Sequence, residues 1–434
     1  GAPRRARGGG PGVGHVGGVD LRDDGRMTKP VVAVVIRGRV VTPDQVIEDG
    51  AVVIEGDRIV WVGAVLSATA PAALAAVVGA TPAAAPGTTV LPGLVDLHNH
   101  GGGGASFPDA TTPAQARLAA REHLTHGTTS LVASLVTADA GTLIARVGLL
   151  ADLAEAGEIA GIHLEGPFLS PARCGAQNPA DMLAGDPELV RRLVVAARGH
   201  LVTMTIAPEI AGIRGPGGVI DALAANGAIP SFGHTDASAE QVDEALAQAR
   251  SALAAPGARS GRPTATHLFN GMRPLHHRDP GPIASCLAAA GRGELVVELI
   301  ADGTHLAAGT VRAVFDLVGA GAIALVTDAM AAAGMPDGSY DLGPVRVRVG
   351  GGVARLADGD AIAGGTAHLL DVVRCVTAAG IPLERAVRAA SGTPAIVLGR
   401  RDLGALEAGR RADVVVVDAD LAPLRVLRAG EWVA

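Results

Sequence analysis

The sequence predicts an α/β protein: a (β/α)8 TIM-like barrel with a small β-sandwich domain formed by the N- and C-terminal segments. Three observations predict it. Between residues 90 and 395 a short apolar stretch ending in polar residues is followed by an Ala/Leu/Arg/Glu-rich helical stretch, and this unit recurs eight times. Alternating β-type segments stand outside the repeat, at both ends of the chain. The 434 residues, 48% of them hydrophobic, suffice for one large domain and a smaller one.

Residues 1–29 are rich in Gly and Arg and lack both hydrophobic periodicity and the apolar core of a signal peptide. They are expected to be a disordered extension, with Met27 a candidate start. The small domain is expected over 30–89 and 396–434. Its N-terminal strands read at 31–36, 51–54 and 58–62, with Gly56-Asp57 as a hairpin turn, and its C-terminal strands at 413–418 and 424–427. The Ala/Pro-rich stretch 67–87 reads as a linker or irregular helix. The barrel is expected over 90–395, with strands at 94–100, 128–136, 160–167, 201–208, 229–235, 264–270, 294–302 and 323–329. Strands alternating with helices imply a parallel sheet, and eight of them a closed barrel rather than an open doubly wound sheet. Segments 345–349 and 353–356, joined by three glycines, read as a β-hairpin inserted after the eighth strand.

Composition limits the function. A net charge of −7 and a pI near 6.0 give no reason to expect nucleic acid as a partner. No apolar run reaches the ~18–20 residues of a membrane span. Cys174, Cys286 and Cys375 form no CxxC pair, which points to reduced thiols and a cytoplasmic protein. Lys29 is the only lysine, so no mechanism can depend on a lysine inside the barrel.

In a (β/α)8 barrel the polar residues at the carboxyl ends of strands converge on one mouth. Those ends carry His98 and His100 on the first strand, Glu165 on the third, His234 on the fifth, His267 on the sixth and Asp328 on the eighth. His98 and His100 share strand parity and point the same way. Four imidazoles and two carboxylates can hold one or two divalent cations per subunit, with Zn, Fe, Mn and Co all suited. Such a cation lowers the pKa of a coordinated water toward ~7. A carboxylate such as Asp328 can then move a proton from water to a leaving amine, which is metal-assisted hydrolysis. His163 shares a face with Glu165 and is read as a layer-filling side chain. His15, His123, His126, His200 and His368 are read as structural or solvated.

The motifs His98-Asn99-His100, His163-Leu164-Glu165-Gly166-Pro167-Phe168, Gly233-His234-Thr235 and Thr266-His267-Leu268-Phe269-Asn270-Gly271-Met272 carry a family resemblance, together with Ala301-Asp302-Gly303-Thr304-His305 and Val326-Thr327-Asp328-Ala329-Met330. They resemble those of the N-acetylglucosamine-6-phosphate deacetylases, of the amidohydrolase superfamily. The resemblance runs from about residue 31 to the end, through the stretches 391–395 and 404–413. It implies a hydrolase converting N-acetyl-D-glucosamine 6-phosphate to D-glucosamine 6-phosphate and acetate. Its rivals are a deacetylase for the galactosamine epimer, another cyclic-amide or N-acyl amino-acid hydrolase, and a metal-free scaffold; the full donor set argues against the last.

By the same resemblance, Glu165, His234 and His267 are the principal metal ligands and Asp328 the acid/base. His98 and His100 are the pair that some members have and others replace with amides. Many superfamily relatives bridge two metals with a carboxylated lysine; here Lys29 lies outside the expected barrel, and Glu165 would have to serve. Asn270, Gly271 and His305 resemble residues that hold the phosphorylated sugar, and Ile362, Ala363 and Gly364 its floor. Arg278 resembles a phosphate-binding arginine reached across from a neighbouring subunit, which implies a homodimer or higher homo-oligomer. Arginine suits the task because its planar fork donates two hydrogen bonds to phosphate oxygens. Ala176-Gln177 stands where many members have a residue followed by histidine, thought to polarise the acetyl carbonyl. Gln177 can donate a hydrogen bond there but cannot carry a proton, and a second cation at His98 and His100 could replace that function. Cys174, in the same loop, is a candidate for shielding the site, touching substrate or sensing oxidation, or is an ordinary loop cysteine.

Overall fold

Eight parallel strands follow one another round a barrel in the computed structural model, which describes residues 13–16, 33–67 and 71–434. They are Leu94–Asn99 (β1), Thr128–Leu135 (β2), Gly161–Glu165 (β3), Leu201–Ile206 (β4), Ile229–Phe232 (β5), Thr264–Ala265 (β6), Val296–Leu299 (β7) and Ile323–Leu325 (β8). The ring closes through a parallel bridge between Asn99 and Ala329, and the Asp328 N–H donates to His98 O at 2.9 Å. Every residue of all eight strands is buried, which is why they read as apolar runs rather than alternating ones.

A helix follows each strand, from Pro113–Thr125 after β1 to Leu369–Ala378 after β8. The helices start where the sequence supplies caps. Thr112 and Ser238 form capping boxes with Gln115 and Gln241, and the Asp139 and Asp186 carboxylates accept from first-turn amides. Each such cap is worth about 1 kcal/mol. Helix Pro187–Ala197 buries Leu189, Val190, Leu193 and Ala197, the one-sided stripe of an amphipathic helix on a sheet. The insertion after β8 is a three-stranded antiparallel sheet: Val345–Gly350 and Val353–Leu356, as expected, and in addition Gly338–Leu342.

The chain divides into two compact units, Val95–Arg400 and a second made of Gly1–Leu94 with Arg401–Ala434. Both junctions lie a few residues beyond those expected, because β1 starts one residue after Pro92-Gly93 and helix Gly392–Val397 belongs to the barrel unit. The smaller unit is a sheet in the order Glu431–Trp432, Pro423–Arg428, Val414–Val417, Thr89–Pro92, Ala33–Val41, Val46–Glu55, Arg58–Ala64. Ile36, Val40, Val52 and Ile54 face one core with Ile59, Val90, Val414, Val416 and Leu427, so both ends of the sheet close on it as a sandwich. Val35, Ala51 and Val53 face the other way, against Leu74, Val77 and Val78 of helix Ala72–Ala80, a helix within the stretch read as a linker or irregular helix. Part of the expected extension is also ordered: Val13–Val16 pairs antiparallel with Ala33–Val41. Two valines in four residues beside an unpaired strand edge supply both propensity and partners. The rest of residues 1–29 lies outside the described residues. Among the described residues no helix is long and apolar enough to cross a membrane.

Candidate metal centre

β5, β6 and β8 are shorter than the sequence suggests, stopping at Phe232, Ala265 and Leu325, so that His234, His267 and Asp328 fall just beyond them. All three adopt a left-handed backbone, with φ of 47°, 28° and 49°. A residue in that region cannot continue a strand, and a non-glycine there costs on the order of 1–3 kcal/mol. The surroundings hold it in place. Asp328 is gripped through its own N–H on His98 O and by the Gly365 N–H, which donates to Asp328 O at 2.7 Å. Gly365 has to be glycine, since a Cβ there would lie 2.4 Å from Thr327 O. Gly271, at φ +59°, allows the next loop to pass His234; its Cβ would lie 2.8 Å from His234 Nδ1.

Glu165 is the hub. Its Oε1 lies 2.9 Å from His234 Nε2 and 2.8 Å from His267 Nε2. Its Oε2 lies 3.1 Å from His100 Nε2 and 3.7 Å from His98 Nε2. Asp328 Oδ1 is 3.2 Å from His100 Nε2 and 3.3 Å from His98 Nε2, which are themselves 3.0 Å apart. The donors fall into two converging groups, Glu165 with His234 and His267, and Glu165 with His98, His100 and Asp328.

The outer nitrogens decide which way the rings point. His234 Nδ1 lies 2.8 Å from Arg173 O, His100 Nδ1 3.2 Å from Ser134 O, and His98 Nδ1 3.2 Å from Glu298 Oε2. A carbonyl or carboxylate accepts, so each Nδ1 carries the proton and each Nε2 turns a lone pair inward. Two such lone pairs 3.0 Å apart, at His98 and His100, call for positive charge between them. The donor set therefore fits a divalent cation in either group.

The charges agree. Burial pushes Glu165 up, but the His98 charge and hydrogen bonds from His100, His234 and His267 outweigh it and hold it well below the usual carboxylate range. Asp328 is lowered in the same way, burial being overcome by His98 and by the His100 hydrogen bond. Burial disfavours the charged His98 ring, yet Asp328 and Glu165 hold it well above an ordinary imidazole. His163 differs from these. Its ring stacks on His98 at 4.4 Å, both nitrogens meet hydroxyls of Thr203 and Thr205 at 3.0 Å, and burial keeps it well below the ordinary value. It fills a barrel layer. The Glu122, His126 and His368 side chains also gather, but the His126 and His368 rings stack 3.7 Å apart at 11°, so their lone pairs do not converge.

A cavity of about 280 Å³ opens above the centre, lined by His100, Glu165, His234, His267 and Asp328, and by Ala176, Gln177, Asn270, Gly271, His305, Ile362 and Gly364. His98 lies beneath it, wholly buried. Ala363 was expected on the floor but is enclosed among Val136, Met330, Leu342 and Val347, while its neighbours Ile362 and Gly364 line the cavity as expected, because alternate residues of an extended segment face opposite ways. Arg278 stands outside the cavity, exposed, with Nη1 2.9 Å from His277 Nε2. Cys174 is half-buried beside the cavity-lining Gly175. Gln177 accepts the Thr137 N–H at 2.8 Å and donates to Glu165 Oε2 at 2.6 Å, so its amide is committed to holding Glu165. His305 gives its Nδ1 to Asp302 Oδ2 at 2.8 Å. Glu298 and Asp302 were not anticipated from the sequence; a lone charge inside the apolar run 295–300 was the available signal for Glu298.

The sequence profile of the amidohydrolase family matches residues 89–433. The chain belongs to this family. Among curated proteins, this amidohydrolase is 34% identical to the N-acetylglucosamine-6-phosphate deacetylase of Bacillus subtilis over 349 residues, 77% of this chain and 81% of that protein. It is 35% identical to the Vibrio furnissii enzyme of the same name over 337 residues, 76% and 79% of the two chains. Among solved structures, the N-acetyl-D-glucosamine-6-phosphate deacetylase of Mycobacterium smegmatis superposes with a TM-score of 0.81 at 41% identity, covering 92% of this chain and all of that one. A variant of the same enzyme, solved with N-acetyl-D-glucosamine 6-phosphate, matches with a TM-score of 0.80 at 40% identity over 92% of this chain and 98% of that one.

Proposed function

We propose that this amidohydrolase removes the acetyl group from N-acetyl-D-glucosamine 6-phosphate, releasing D-glucosamine 6-phosphate and acetate. One observation carries the reading: a single carboxylate, Glu165, stands between two histidine pairs with Asp328 facing the same point. The relatives at 34–41% identity, named for this activity, support the choice of substrate. Zinc, iron, manganese or cobalt suits the donors, one ion with Glu165, His234 and His267 and a second with His98 and His100. A bound cation supplies Lewis acidity to the acetyl carbonyl and lowers the pKa of an adjacent water.

Asp328 starts as a base, its carboxyl held low by its histidine neighbours. It takes a proton from the water as the oxygen attacks the acetyl carbon, and gives a proton to the amine nitrogen as the C–N bond breaks. Gln177 holds Glu165 in place against that change of charge. Asn270, Gly271, Ala176, Ile362 and Gly364 enclose the sugar and its acetyl group. His305, braced by Asp302, meets the phosphate together with Arg278 from a second subunit of a homodimer, which accounts for an arginine that stands outside its own cavity. Three free cysteines suit a cytoplasmic enzyme.

The test is acetate release by the purified holoprotein from the N-acetylated 6-phosphates of glucosamine and galactosamine and from the unphosphorylated sugar. The glucosamine phosphate is expected to react fastest, and no release from either phosphate would end the proposal. In the same assay, Arg278→Leu and His305→Leu are each expected to raise KM at least tenfold with kcat reduced far less, since a remote phosphate contact acts mainly as uniform binding. An equal fall in both constants would count against a phosphate role.

A further inference from the structure

Glu298 lies on β7 within Leu295-Val296-Val297-Glu298-Leu299-Ile300 and is wholly buried. Its Oε2 sits 3.2 Å from His98 Nδ1 and accepts the His267 backbone N–H at 3.3 Å, while its Oε1 has no hydrogen-bond partner. Two N–H groups are few for a carboxylate out of water, and such a group persists only beside compensating positive charge. The placement is one-sided. Glu298 touches the ring of His98, whereas the rings of His234 and His100 rest on neutral backbone carbonyls. Stacking on His163 fixes the plane of the His98 ring, but both His163 nitrogens are taken by threonines, so Glu298 is the acceptor that meets the outer nitrogen of His98. With Glu165 and Asp328 it makes a third carboxylate around the two histidine pairs, on the His98 side.

We infer that Glu298 is a positioning residue for a second cation: through His98 it supplies both the ring orientation and the extra negative charge that let the His98–His100 pair hold a divalent ion beside the one at Glu165, His234 and His267. The inference rests on the two-cation part of the proposed function. It means that a His-x-His pair does not by itself make this second position; the buried acid beneath it does.

The test uses the zinc-loaded holoprotein, stripped stepwise by a chromophoric chelator, with residual zinc measured by elemental analysis at each step. The wild-type protein is expected to release zinc in two steps. Glu298→Gln keeps both acceptor contacts but removes the charge. It is expected to bind the weaker zinc on the order of 10–100-fold less tightly, with the tighter zinc and the melting temperature nearly unchanged. Glu298→Asp keeps the charge but withdraws it from His98, and is expected to weaken the same step less; it decides the matter if the glutamine variant does not fold. Two zinc ions held with wild-type affinity by the folded variants, or equal weakening of both, would overturn the inference. A single release step in the wild-type protein would instead overturn the two-cation reading, and this inference with it, while leaving the acetate-release test standing.

Discussion

Asp328→Asn is expected to lower kcat on the order of 1,000-fold while the cation content of the protein stays as it was. The loss corresponds to about 4 kcal/mol of transition-state stabilisation. Asparagine is chosen for two physical reasons. Its amide oxygen can still face His98 and His100 where Asp328 Oδ1 does, 3.2–3.3 Å from their Nε2 atoms. And asparagine tolerates the left-handed backbone found at this position, φ 49°, better than most residues, so the loop is not strained. What it cannot do is take up and return a proton. Steady-state acetate release and elemental analysis on one preparation check both halves; a fall of less than tenfold would move the acid/base role to another group.

Glu165→Gln is expected to abolish measurable activity and to empty both cation positions. Among the described residues, Glu165 alone belongs to both converging donor groups that surround the cavity floor. A glutamine side chain presents one neutral oxygen and one NH2, so whichever way it turns, one histidine pair meets a donor in place of an acceptor and the other loses the carboxylate charge that helps hold a cation. The NH2 would bond to the inward Nε2 lone pairs that a cation needs. Replacing His98 and His100 together by alanine is the contrasting case: one cation position should go and the one at His234 and His267 remain. Elemental analysis of both variants tests the pair, and a Glu165→Gln protein that retained two ions would remove the carboxylate from its central role.

Most of the architecture was legible because burial on both faces leaves an unmistakable mark. Val296-Val297 and Val202 lie in strands whose neighbours are helices, and apolar runs between helical stretches place such strands reliably. Strand ends were read too far along, since nothing in Gly233-His234 or Thr266-His267 announces a left-handed turn; only the packed mouth imposes it. Gly338–Leu342 escaped notice because Ser339 and Asp341 give it a half-exposed, weakly apolar pattern. The six donors could be named because each is a polar residue at the end of an apolar strand. Glu298 could not be assigned the same way: its partner His98 is two hundred residues distant in sequence, and closeness of that kind exists only after the barrel closes.

Strand Thr89–Pro92 runs parallel to Ala33–Val41 on one side and antiparallel to Val414–Val417 on the other. During translation its second edge therefore waits, open, while the ribosome makes the entire catalytic domain. The nascent chain carries an exposed row of backbone donors and acceptors through that interval, a standing invitation to wrong pairing until the downstream strand arrives. Completion of the smaller unit is thus the late step of biogenesis, and lesions in 414–417 should reveal themselves as poor yield and aggregation before they reveal themselves in catalysis.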